Sequence, residues 1–301
     1  MKTVEVTMPG GFASGGTWHR TALLRPLCGR DEAFLAEEAR HALPAERTTA
    51  LLARLLERCG TVAPVTRDLV RTLTVGDRDA LLLHLRRLTL GERISCVLAC
   101  PACGERMDLD LNVADLLVAP YGHEPREVYE TEVEGGGRTY RVRFRLPNGA
   151  DQEAAAAVFA DEGLEAAEEL ILRRCVESSM LIEKDGERDE RLPRVANLSS
   201  DAKLPTEAAR SLQQLMSKLD GQAEVVLRMT CPACEGAFVL PFDIADYFFR
   251  ELTELGGDVY REVHTLALHY HWGEAEIMAM PRRRRRLYLS LLADAAGKGS
   301  A

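Results

Sequence analysis

The sequence predicts an α+β fold in which an internally duplicated helix-strand-Cys-x-x-Cys-strand unit is followed by a C-terminal helical segment. Three observations carry this. Cys100-Pro101-Ala102-Cys103 and Cys231-Pro232-Ala233-Cys234 are two knuckles with the same residues between their cysteines. A shift of 131 residues, from Cys100 to Cys231, continues the match without a gap on both sides. Leu73, Leu81, Leu88 and Ile94 fall on Leu204, Leu212, Leu219 and Val225, and Val113-Ala114-Asp115 falls on Ile244-Ala245-Asp246. From Phe248 onward, apolar residues recur at helical spacing.

Each element has a local reason. Asp77 to Arg87 carries leucines at helical spacing, and Pro205, followed by Thr206 and Glu207, opens the matching helix of the second copy. Ile94 to Ala99 and Val225 to Met229 read as strands entering the knuckles. Met107, Leu109 and Leu111, like Phe238, Leu240 and Phe242, alternate as strands leaving them. Further back the repeat is looser: Trp18 to Leu24 resembles Tyr140 to Leu146 as a strand, each followed by helices ending in Arg58-Cys59 and Arg174-Cys175. Gly135-Gly136-Gly137 reads as a hairpin turn, and the polar stretch Glu183 to Glu190 as an exposed turn around Asp185-Gly186. The resulting division is a first repeat over 1–120, a second over 121–250 and a C-terminal helical docking segment over 251–301.

Composition narrows the function. With 38 Lys+Arg against 47 Asp+Glu, the formal charge of the 301 residues is −9. That disfavours a general duplex-DNA binder, which needs an excess of cations on at least one face. A hydrophobic fraction of 46% supplies core for roughly two domains and excludes bulk disorder. No apolar run approaches the roughly 20 residues of a membrane span, and MKTVEVTMPGG lacks a signal-peptide core, so a cytoplasmic protein without a membrane partner is expected.

Eight cysteines in a reducing compartment are read for metal chemistry. A Cys-x-x-Cys turn supplies two thiolates, which is half of a tetrahedral zinc site. Two related knuckles flanked by strands predict one closed zinc ribbon of Cys100, Cys103, Cys231 and Cys234. Such a site lacks an open coordination position, so its zinc is structural. Buried or redox-active cysteines, and knuckles paired between the chains of a homo-oligomer, are the alternatives. Cys96 is a candidate fifth ligand or a small core residue, its counterpart being Leu227. Cys28, Cys59 and Cys175 show no pairing pattern.

In the C-terminal segment, Val259, Val263, Leu266 and Ala267 form one helical stripe, Gly273-Glu274 opens a short helix, and Met280-Pro281 opens another with Leu287, Leu291 and Leu292 expected to face inward. His264, His269 and His271 near Trp272 lack the spacing of a common metal set and are expected to pack on Trp272 and cap helix ends. The run Arg282, Arg283, Arg284, Arg285 and Arg286 opposes the helix macrodipole at an N-terminal end. Together with Trp272 it reads as a docking site for an acidic partner, with a solvated face and a nucleic-acid patch as alternatives.

The pattern Glu262-Val263-His264-x-Leu266-Ala267-x-x-Tyr270-x-Trp272-x-Glu274-x-Glu276-Ile277, then Pro281 to Arg284 and Tyr288, resembles the T-even-phage-like baseplate (hub) proteins of contractile tails and related injection systems. The helix-strand-knuckle-strand unit is similar to zinc-knuckle members of that group. The likeness spans roughly residues 60 to 117 and 200 to 295. It implies a non-enzymatic hub component or assembly factor, acting on hub, spike or other tail proteins, in the cytoplasm or in an assembled particle. The sequence contains no phosphate-binding glycine loop, Gly-x-Ser-x-Gly elbow or His-Glu-x-x-His helix, so catalysis is not expected. A zinc-ribbon nucleic-acid or transcription adaptor is the alternative function.

Overall fold

A computed structural model describes residues 3–182, 197–198, 204–254 and 259–298. The turn expected around Asp185-Gly186 lies outside the described residues. The chain opens with β1 (Val4–Ser14) and β2 (Thr17–Leu24), continues through α1 (Gly29–Glu37) and α2 (Pro44–Leu55), and returns as β3 (Leu56–Cys59). These strands form an antiparallel sheet in the order β1-β2-β3. Next come α3 (Arg67–Thr72), α4 (Val75–Leu90), a hairpin of β4 (Arg93–Ala99) and β5 (Arg106–Asn112), and the single turn α5 (Val113–Leu116). The sequence of elements then recurs. Strands β6 (Tyr129–Gly135) and β7 (Arg138–Phe144) precede α6 (Gly149–Glu162), α7 (Leu164–Cys175), β8 (Val176–Ile182) and the two-residue β9 (Asn197–Leu198). After them stand α8 (Thr206–Leu219), a 3-10 turn at Gly221–Glu224, the hairpin β10 (Val226–Thr230) and β11 (Ala237–Pro241), and α9 (Ile244–Glu254). Three helices finish the described chain: α10 (Val259–Tyr270), α11 (Glu274–Met278) and α12 (Arg282–Lys298).

The two sheets agree in register. Ala22 opposes Cys59 and Leu24 opposes Leu56 in one, while Val142 opposes Ser179 and Phe144 opposes Val176 in the other. Every number is displaced by 120, and both pairings slip at the same step, Leu23/Leu24 and Arg143/Phe144. The helices repeat a buried constellation at the same displacement. Asp31 accepts from the main chain of Cys28 and pairs with Arg25 at 2.6 Å and Arg54 at 3.6 Å. Asp151 accepts from the main chain of Asn148 and pairs with Arg145 at 2.5 Å and Arg174 at 2.7 Å. Burial works to raise both carboxyl pKa values, yet the Arg25 and Arg145 guanidiniums and these main-chain N–H groups hold them below the ordinary value. This register corrects two expectations. Trp18 matches Arg138, two residues earlier than the sequence alignment placed it. The first helix ends at Leu55, the counterpart of Cys175, so Arg58-Cys59 belongs to β3.

The main core gathers β1 to β3, α1, α2 and α4, and draws Phe248 and Phe249 of α9 from the far side of the chain. Helix α4 buries Leu81, Leu82, Leu83 and Leu85 in succession, so it is surrounded rather than amphipathic. Arg86 fastens it to α9 through Glu251 at 2.6 Å. At its first turn the Gly76 N–H donates to Asp220, and a Cβ there would lie 2.0 Å from that carboxylate, so only glycine permits the approach. A second core packs β6 to β8 against α8 around Val142, Phe144, Cys175 and Leu212.

The C-terminal helices form a third cluster around Val263, Leu266 and Ile277. The inward stripe of α12 is Arg282, Arg285, Leu289 and Leu292, whereas Leu287 is 57% and Leu291 49% exposed. This reverses the expectation for those two leucines. The cause is electrostatic: Arg285 pairs with Glu32 of α1 at 2.6 Å and with Glu262 of α10 at 2.8 Å, and these carboxylates set which face of α12 turns in.

Candidate metal centre

Each knuckle is a tight turn between paired strands. In the first, the Cys100 N–H donates to Glu105 O at 2.8 Å and the Gly104 N–H to Cys100 O at 2.9 Å. In the second, the Cys231 N–H donates to Gly236 O at 3.0 Å and the Glu235 N–H to Cys231 O at 2.9 Å. Both turns need a left-handed residue after the second cysteine. Gly104 meets the need at φ 76°, while Glu235 adopts φ 58° against its side-chain sterics.

The hairpins bring all four sulfurs together within one chain. Cys100 Sγ lies 3.8 Å from Cys234 Sγ and Cys103 Sγ 3.6 Å from Cys231 Sγ, with the four thiols within 4.8 Å of one another. Each close pair joins one buried thiol, Cys100 or Cys231, to one exposed thiol, Cys234 or Cys103. A tetrahedron with metal–sulfur bonds of about 2.3 Å has edges of about 3.8 Å, whereas a disulfide needs about 2.05 Å. The spacing therefore fits four thiolates around one ion and no disulfide. Met107, Met229 and Phe238 close an apolar patch around the sulfurs.

The thiols differ in acidity. The Cys103 main-chain N–H pulls the Cys100 thiol down to about 7. Cys103 is pushed up to about 12: the Glu105 N–H opposes the rise, and burial with the neighbouring Cys100, Cys231 and Cys234 drives it. A divalent cation would stabilise all four as thiolates, which makes binding proton-coupled. Among the described residues no other group of His, Cys, Asp or Glu meets a ligand geometry.

The remaining candidates separate. Cys96 is half-buried against the main core on the Ile94 face of β4 and outside the four-thiol cluster. His264, His269 and His271 are exposed, and Trp272 stacks on Tyr270 at 4.6 Å and meets Tyr288 edge-on at 4.8 Å, so the packing expected of the histidines belongs to tyrosines. His271 ends α10 at φ 55° with its N–H on Ala267 O. Within the arginine run, Arg285 is fully buried, Arg282 is buried 3.8 Å from Glu32, and Arg286 pairs with Glu262 at 2.8 Å. Arg283 and Arg284 alone of the five face outward without a carboxylate among these pairs, Arg284 lying over the Tyr288 ring. The acid partners that the run called for are thus largely Glu32 and Glu262 of the same chain. Neither was recognised from sequence, because residues 32 and 262 give no local sign that they meet.

Fold and site together define an α+β protein whose two β-hairpins meet at a four-thiol centre arranged to hold one metal ion. A family model described as T4 bacteriophage base plate protein matches residues 13–249, and the chain belongs to that family. The match includes the N-terminal third and both knuckles, and it ends before the Glu262 to Tyr288 pattern that suggested the resemblance. No curated protein and no solved structure matches. No helix among the described residues is long and apolar enough to cross a membrane.

Proposed function

We propose that the protein is a non-enzymatic structural or assembly component of a contractile-tail baseplate, held rigid by one structural zinc ion and acting through contacts with hub, spike or other tail proteins. The observation that carries this reading is the coincidence of the baseplate family match with a closed four-thiol centre inside the matched region. Bound zinc would supply crosslinks between Cys100 and Cys103 on one hairpin and Cys231 and Cys234 on the other. In zinc-finger peptides such sites contribute about 10–16 kcal/mol of apparent binding energy, comparable with the net stability of a domain. The repeated register and the repeated Asp31 and Asp151 constellations support an internal duplication, with repeats over 1–120 and 121–250 joined by the metal and by α9.

The docking role of the arginine run narrows to Arg283 and Arg284, and α10 to α12 serve mainly to brace α1. The test is purification of tail particles and their assembly intermediates from cells carrying the tagged full chain. The chain is expected in one of these fractions with tail proteins, and it is expected to pass through a DNA column at low salt. Retention on DNA with a steep loss as salt rises, without any tail protein, would favour the nucleic-acid adaptor and overturn the reading.

A further inference from the structure

A groove of about 880 Å³ runs between α6 and α7 on one side and the start of α2, the first turn of α4 and the second hairpin on the other. Its apolar floor includes Phe159, Leu164 and Val226, which are 55%, 63% and 42% exposed. Side chains of this size are left this open together only where an apolar patch is normally covered. Its walls carry Asp79, Glu224 and Asp243, and among the described residues no Lys, Arg or His lines it. Asp79 is half-buried, and its carboxyl is raised well above the ordinary value by burial and then by Asp243 and Asp220, with Arg78 opposing the rise.

The first repeat shows what belongs on such a face. At the displacement of 120, Ala155, Phe159, Ala167 and Ile171 correspond to Leu35 of α1, Ala39 in the turn after it, and Arg47 and Leu51 of α2. There Leu35, Ala39 and Leu51 are buried in the main core with Phe248 and Phe249 of α9, and the Arg47 guanidinium lies 4.3 Å from the Phe249 ring centre. An eleven-residue helix of the chain itself closes that face. The residues that match α9 at the displacement of 131 are those of α5, which is a single turn of four residues. Among the described residues the matching face of the second repeat therefore meets only the first turns of α2 and α4 and the second hairpin, with no helix lying along it as α9 does in the first.

We propose that the α6–α7 groove receives an amphipathic helix from another protein, with apolar residues at i, i+3, i+4 and i+7 and lysine or arginine flanking them to meet Asp79, Glu224 and Asp243. The occupant is defined by the groove alone, so the proposal goes beyond the baseplate reading and stands without the metal. Its probe is a 14-residue helical Leu/Lys peptide of that spacing, with a Leu/Glu peptide of the same pattern as its counterpart, added to the full chain.

The Leu/Lys peptide is expected to bind, to slow amide exchange over residues 155–171, and to lose about tenfold in affinity to an Asp79→Asn, Asp243→Asn variant. Phe159→Ser is expected to lose at least as much while keeping the far-ultraviolet dichroism of the parent. Equal binding of the Leu/Glu peptide, or an unchanged affinity in both variants, overturns the proposal. Concentration-dependent dimerisation of the chain abolished by Phe159→Ser would overturn it in favour of a second copy as the occupant.

Discussion

Replacing Glu235 by glycine is expected to tighten metal binding, because the two knuckles differ at one backbone position. Glu235 holds φ 58° where the first knuckle has Gly104 at φ 76°. A left-handed residue with a Cβ costs about 1–2 kcal/mol. Glycine returns about 0.4–1 kcal/mol of that as extra freedom in the unfolded chain. The difference, about 0.5–1 kcal/mol, corresponds to zinc affinity about two- to fivefold higher for Glu235→Gly if the turn is ordered only with the metal bound. Removing a carboxylate beside four thiolates acts in the same direction, so Glu235→Gln, which keeps the strained torsion, serves as the reference. The converse is Gly104→Ala: a Cβ there meets nothing within 4 Å, so the change is purely torsional and should weaken binding by a similar factor. Competition for zinc against a chromophoric chelator at fixed pH reads all four proteins. The reasoning is refuted if Glu235→Gly binds no more tightly than Glu235→Gln, or if Gly104→Ala binds as the parent does.

Other perturbations probe the rest of the account. Cys103→Ser or Cys234→Ser should lower the thermal midpoint far more than Cys175→Ser, which removes a buried core thiol outside the centre; similar losses in a melting series would mean that all three merely pack. Arg285→Met should cost about 1.5–3 kcal/mol in urea denaturation, because it removes the cation shared by Glu32 and Glu262 and leaves them only Arg282 and Arg286; a loss below about 1 kcal/mol would contradict the internal role of the arginine run. Burial, with Asp220 nearby, raises the fully buried Asp77 carboxyl to about 7. A raised acid stabilises most below its unfolded pKa, and that advantage is lost as pH climbs from about 4 to 7, by up to about 4 kcal/mol. His84, pulled down to about 4 by burial and by Arg87, has the opposite slope from about 6.5 to 4, but burial raises the Asp79 and Asp220 carboxyls as well, so the parent should lose stability on balance as pH climbs through this window. Asp77→Asn should lose less stability than the parent between about pH 4 and 7 in urea titrations. A variant with the same slope as the parent would show that Asp77 does not titrate there.

The sequence exposed the centre more fully than the rest of the fold. The knuckles repeat their proline and alanine as well as their cysteines, and the ungapped shift of 131 carries through the flanking strands, so the clustering of the four cysteines and both hairpins were legible. The displacement of 120 in the other half was not, because Arg25, Asp31 and Arg54 share chemistry with Arg145, Asp151 and Arg174 while the surrounding apolar residues differ. The orientation of α12 was also hidden. Helical spacing alone favours a leucine face, and only the positions of Glu32 and Glu262 in space explain why Arg282 and Arg285 turn inward. The strained Glu235 could have been found by laying it on Gly104, since a glycine in one copy of a turn marks the torsion required in the other.

The most direct test of the central claim is elemental analysis of the purified full chain together with its mass in solution. One zinc ion per monomer is expected, falling to none when Cys100 and Cys103 are both replaced by serine. Two ions per chain, none in the parent, or an ion retained by that double variant would contradict a single centre joining the two hairpins.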